Sequence, residues 1–240
     1  MYNDFENGMQ NNSVLNEEQI EDIQIAFLNK VFGYMSFALI LTAVVAFIVA
    51  HTPTLLYSLY RNPFLIYGLF GCELLLVGFL SRRVYKMNPA TALMMFIVYS
   101  IINGITLSYV FVVYTGNSVS SAFFITAITF LTMSFVGFKT KADLTKFSSL
   151  FTMALLGIIL ASLCNIFLQS TSLMWIISYV GIFVFIGLIA YDTQKLKHMS
   201  LIAYQNGGVA TNLAIVGALA LYLDFINIFL FILRIFGDRD

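Results

Sequence analysis

The most constraining stretch of the chain is its last apolar run, residues 213–236, reading LAIVGALALYLDFINIFLFILRIF. As a helix it is long enough to cross a bilayer, for which about 20 apolar residues suffice. Yet an acid, Asp224, stands near its middle. A charged side chain at the centre of a membrane helix costs roughly 2.5 to 3.5 kcal/mol even on lenient insertion scales, so it must face protein or water rather than lipid. Asn227, one turn on, adds a second polar group on about the same face. A helix that is apolar elsewhere but carries such a polar spot belongs at the centre of a bundle, with the other helices packed around it.

Those other helices are visible as six further apolar runs, at about 31–50, 63–80, 90–113, 119–138, 147–168 and 173–192. Each has the length of a membrane span. Only 10% of the residues are charged and 60% are hydrophobic, where a globular domain carries about 25% charge. The expected fold class is therefore all-α, a seven-helix multi-pass membrane protein. Residues 1–29 form a polar tail, expected to be disordered and then amphipathic from Asn16 onward, ahead of a transmembrane domain at 30–240. Net charge is zero, so no strong field recruits nucleic acid. Cys72 and Cys164 lie inside apolar runs and read as buried small hydrophobes rather than a disulfide pair. Gly157, Gly181 and Gly187 mark places where helices are expected to approach closely.

Basic residues set the expected orientation. Lys30, Arg82, Arg83, Lys86, Lys139, Lys141, Lys146, Lys195 and Lys197 fall on one side of the spans, against Arg61, Arg234 and Arg239 on the other. The positive-inside rule then places the N-terminus in the cytoplasm and the C-terminus outside.

The ionisable residues of the spans come next. Glu73 sits in the middle of span two, Asp192 at the cytoplasmic end of span six and Asp224 inside span seven; Arg82 and Arg83 end span two. These are expected to form one polar cluster in the cytoplasmic half, because intramembrane acids mark ion or proton paths more often than not. Asp224 lies roughly 10 to 15 Å inside its span at 1.5 Å per residue, deeper than Asp192. For the two to meet, span six must reach beyond its apolar run. If they meet, two carboxylates in a low-dielectric site share a proton and titrate as a pair, and a neighbouring arginine offers a competing partner, the makings of a latch. The alternative is that Asp192 caps a helix end and Asp224 bonds within the core. His51 and His198 fall at opposite faces, too far apart for a metal site, and no phosphate loop, zinc spacing or nucleophile constellation is present.

The segment AYDTQKLKHM at 190–199 and the run ALALYLDFINIFLFILRIFG at 218–237 resemble the paired signature of the Bax inhibitor-1 family, the transmembrane Bax inhibitor motif proteins. NGITLSYVF at 103–111 and FVGFKTKADL at 135–144 resemble it too, so the likeness runs from the first span to the end. The resemblance implies a seven-helix bundle with its last helix central and a pH-sensitive calcium leak without a tightly bound cofactor. Its di-aspartyl sensor falls on Asp192 and Asp224, its second-span acid on Glu73, and its latch arginine on Arg82 or Arg83. A short tail fits a bacterial plasma membrane.

Calcium is then the permeant ion, passing beside the last helix over Glu73, Asp224 and Asn227. Asp224 and Glu73 would supply a weak, transient oxygen site, since tight coordination would stop conduction. Two other classes are weighed. An intramembrane aspartyl protease also pairs membrane aspartates, but LYLDF has no Gly-x-Gly-Asp turn. The stronger rival is a regulatory protein that binds membrane proteases or cell-death factors, its acids merely holding the bundle together.

Overall fold

A computed structural model describes residues 16–205 and 209–238, all of whose regular structure is helical. The disorder expected for the first residues falls outside the described part. Helix α1, Glu17–Ala50, opens on a capping box: the Asn16 side chain accepts from the Gln19 amide at 2.8 Å and the Gln19 side chain from the Asn16 amide at 3.0 Å. With Glu17 and Glu18 in the first turn, where carboxylates suit the helix dipole, these residues start the helix well before residue 30. The amphipathic stretch expected as tail is thus the first turns of the span-one helix.

A short helix α2, Pro53–Arg61, leads to α3, Pro63–Arg83; both begin on a proline, which suits a first helical turn. After a 3-10 turn, α4, Pro89–Leu107, is followed by the single-turn α5, Val110–Val113, so the third span breaks near Ser108. Helix α6, Gly116–Lys139, is capped by Thr115; a second 3-10 turn precedes α7, Ser148–Leu168. The last two are α8, Thr171–Gln205, and α9, Ala210–Phe236. Seven of these segments are long and apolar enough to cross a membrane.

Helix α9 is the hub. It packs on α8, α1, α6 and α4, and 67% of its apolar window is buried, against 11% for α3 and 6% for α7. Those two helices lean chiefly on α4 and α8 respectively.

Glycine positions explain the close packing. A Cβ on Gly137 would lie 2.3 Å from the Ala190 carbonyl oxygen, so α6 and α8 meet backbone to backbone. Gly181 receives the Phe231 ring, Gly187 the Phe151 ring and Gly217 the Leu196 side chain. Gly157 does not fit the expectation: nothing lies within 4 Å of its Cβ position, because its helix α7 touches so little of the bundle. Cys72 and Cys164 are likewise not buried but exposed, on the outer faces of α3 and α7, where lipid rather than protein surrounds an apolar helix.

Candidate functional site

Asp224 is buried near the middle of α9. Among the described residues no donor reaches its Oδ2 atom. The carboxyl of Asp192 lies beside it, within hydrogen-bonding reach and half-buried. The contact exists because α8 does not stop where its apolar run stops. It continues through the polar residues to Gln205, which puts Asp192 well inside the helix, and the run of α9 against it brings the two levels together. Two carboxyl groups so placed can share a proton.

The cation that acts on Asp192 electrostatically is Lys195, one turn along the same helix. Neither arginine of the expected latch joins the pair. Arg82 and Arg83 are exposed at the end of α3, and the Arg83 guanidinium lies over the Phe79 ring at 5.4 Å. Helix α3 leans on α4, so its end is held away from α8.

Glu73 also stands apart from the aspartates. It is buried between α3 and α4, with the Thr106 hydroxyl 2.7 Å from its Oε1 and the Asn103 side chain within hydrogen-bonding reach. Asn103 Oδ1 accepts from the Tyr222 hydroxyl at 3.0 Å, and Tyr222 can in turn accept from Thr42 Oγ1 at 2.7 Å, whose one proton is shared between it and the Ser100 carbonyl at 3.0 Å. The expected single cluster is therefore two: an aspartate pair between α8 and α9, and a chain of hydrogen bonds from Glu73 on α3 through α4 to α9 and α1. The division follows from α9 itself, since Tyr222 and Asp224 are two residues apart and project to different sides of one helix. A shared Asp224 and Glu73 calcium site is not assembled in this arrangement. Asn227 donates to the Leu223 carbonyl of its own helix at 2.7 Å and joins neither cluster.

Sequence reasoning missed Asn103, Thr106, Thr42 and Tyr222 as members of a network. A polar amide in the middle of an apolar run was the available signal at Asn103. It also missed Asn212, whose Nδ2 donates to the carbonyls of Val84 at 2.6 Å and Met87 at 2.8 Å, fastening the start of α9 to the connector after α3. Beyond the hydrogen-bond chain, an apolar hollow lined by Leu39, Thr42, Phe111, Phe225 and Phe229 opens beside α9.

Comparison with known proteins agrees with this architecture. Residues 24–240 match the family model described as inhibitor of apoptosis-promoting Bax1. An inner membrane protein of Escherichia coli K12, YbhL, is 45% identical over 214 residues, covering 89% of this chain and 92% of the relative. An uncharacterised protein of Borreliella burgdorferi is 40% identical over 223 residues, covering 93% and 96%. An uncharacterised membrane protein of Streptococcus pyogenes serotype M1 is 43% identical over 170 residues, covering 70% and 72%. A match that begins within α1 and runs to the last residue, on a bundle built around an acid-bearing final helix, makes this multi-pass integral membrane protein a member of the Bax inhibitor-1 family.

Proposed function

We propose that this protein is a pH-sensitive calcium leak gated by the Asp192 and Asp224 pair. The observation that carries the reading is Asp224 Oδ2, buried, without a hydrogen-bond donor among the described residues, on a side chain facing a second carboxyl. With one proton between them the pair holds α8 to α9. When that proton leaves, two like charges in a poorly solvated interior repel, and the contact between the two helices is what yields. A proton thereby changes the packing of the central helix, which is what a gate requires.

The permeant ion is calcium, taken from the face opposite the basic connectors and passed beside α9. Carboxylate, amide and hydroxyl oxygens suit a hard cation, and their scattering over Glu73, Asn103, Thr106 and Asp224 favours passage over retention. Lys195 is the cation able to compete for Asp192 in this arrangement.

The test is calcium flux into proteoliposomes holding only this protein, across a pH series, for the wild type, Asp192→Asn and Asp224→Asn. Each variant is expected to lose the pH response. The double variant is expected to behave like either single one, because paired groups titrate as a unit. Wild-type flux and pH response retained in both single variants would exclude the pair as the gate. A wild type that conducts no calcium in the absence of other proteins would favour a regulatory binding role instead.

A further inference from the structure

A second site lies on the flank of the bundle, in a groove between α1 and α6. Its walls are Ile25, Leu28, Phe32, Leu131, Phe135 and Phe138, and Asn29 stands at its rim. Leu131 is 66% and Phe135 65% exposed, so the groove opens sideways, toward the lipid around the bundle rather than toward water. Ser134 and Thr193 also line it; both are buried, at 5% and 1% exposure, and among the described residues neither hydroxyl has a hydrogen-bond partner. Ser and Thr hydroxyls in helices ordinarily donate to a carbonyl of the preceding turn, as Thr126, Thr129 and Thr132 do in α6 itself. Two in one groove that do not are each short of an acceptor, and an unmet buried donor is costly.

The mouth of the groove is cationic. Phe138, which lines it, carries the Lys139 ammonium at 5.3 Å and the Lys197 ammonium at 4.9 Å from its ring centre. One acid, Glu21, answers them through an exposed ion pair with Lys139 at 2.8 Å, and such surface pairs exchange partners at little cost. Along α6, Ser134 lies five residues deeper than Lys139, about 7 to 8 Å at 1.5 Å per residue. That is the order of spacing between the phosphate and the ester carbonyls of a glycerophospholipid.

From this juxtaposition we propose that the groove is a binding site for one phospholipid of the leaflet on the basic side. Its phosphate lies against Lys139 and Lys197, its two ester carbonyls accept from Ser134 and Thr193, and an acyl chain runs along Phe32, Leu131 and Phe135. The ligand commits both hydroxyls and both ammonium groups, so an anionic headgroup binds more tightly than a zwitterionic one. The site does not depend on the calcium reading.

The test is native mass spectrometry of the purified protein released from nanodiscs of phosphatidylglycerol and phosphatidylethanolamine, with added inorganic phosphate as a competing arm. The wild type is expected to retain one phospholipid, enriched in phosphatidylglycerol, and free phosphate is expected not to displace it. Ser134→Ala with Thr193→Val should weaken retention about tenfold, the loss expected for two modest hydrogen bonds. Lys139→Gln with Lys197→Gln should abolish the headgroup preference while leaving some lipid bound. Leu131→Trp, which fills the groove from its exposed wall without touching a polar group, should also displace the lipid. Circular dichroism and thermal melting of each variant separate lost binding from lost fold. Equal retention in wild type, the hydroxyl variant and Leu131→Trp would overturn the proposal, and so would displacement by phosphate alone.

Discussion

Buried Asp224 faces another acid, Asp192, and among the described residues its Oδ2 takes no hydrogen bond. Other carboxylates in the chain are held quite differently. Asp143, in the connector after α6, takes hydrogen bonds from the Thr145 hydroxyl and amide, which hold its carboxyl below the usual range. A group whose folded pKa is depressed stabilises the fold above its unfolded pKa, and that contribution is lost as pH falls through the folded value. The turn at Asp143 therefore loosens only in strong acid, below about pH 4. Asp143→Asn is expected to leave the flux response between about pH 5 and 8 as in the wild type. Loss of that response in Asp143→Asn would move the sensor from the bundle interior to this connector. Asn212 makes a separate prediction. Replacing it with alanine strands the Met87 carbonyl in a half-buried position and leaves the buried Val84 carbonyl with the Met87 amide alone, at 3.1 Å. The expected cost is about 1 to 2 kcal/mol in denaturant unfolding, and an unchanged midpoint would show that the connector is held by other means.

At the scale of the helices, sequence was informative where a single segment decides the outcome and silent where two must meet. The seven spans and the central place of α9 were legible, because length, hydropathy and a mid-span acid belong to one stretch of chain. The full length of α8 was not, because YDTQKLKHMSLIAYQ breaks the apolar pattern while remaining helical against its neighbours. That extension is what brings Asp192 to Asp224. The separation of Glu73 from the aspartates was equally hidden, since it depends on which side of α9 each of two nearby residues faces. Glycines make the same point and can be tested as a pair. Gly137→Ala drives a methyl into the Ala190 backbone, which has no rotamer by which to yield. A loss of about 1 to 3 kcal/mol is expected, the usual penalty for overpacking. Gly157→Ala meets open space and should change stability by no more than about 0.5 kcal/mol. Thermal unfolding of the two variants in one detergent decides it; equal shifts would mean that the α6 to α8 contact does not limit stability.

Across the whole molecule, seven spans put the two ends on opposite faces. The last described residue fixes which connectors share a face with the C-terminus: Asp238 donates its amide to Ser118 Oγ at 2.9 Å and accepts from the Thr115 amide at 3.2 Å. The end of α9 and the connector before α6 therefore lie together, at the opposite end of α6 from Lys139, Lys141 and Lys146. The positive-inside rule gives the expected sign, a cytoplasmic start and an outward end. Cysteine labelling in whole cells reads it directly. In a background with Cys72 and Cys164 replaced by alanine, Asn117→Cys and Lys141→Cys each place a thiol at an exposed position on one of the two faces. A membrane-impermeant maleimide is expected to label position 117 in intact cells and position 141 only after permeabilisation. The reverse pattern would invert the protein and turn the entry side of the proposed calcium path toward the cytoplasm. It would leave the aspartate pair untouched, because the contact of α8 with α9 is the same whichever way the bundle stands in the membrane.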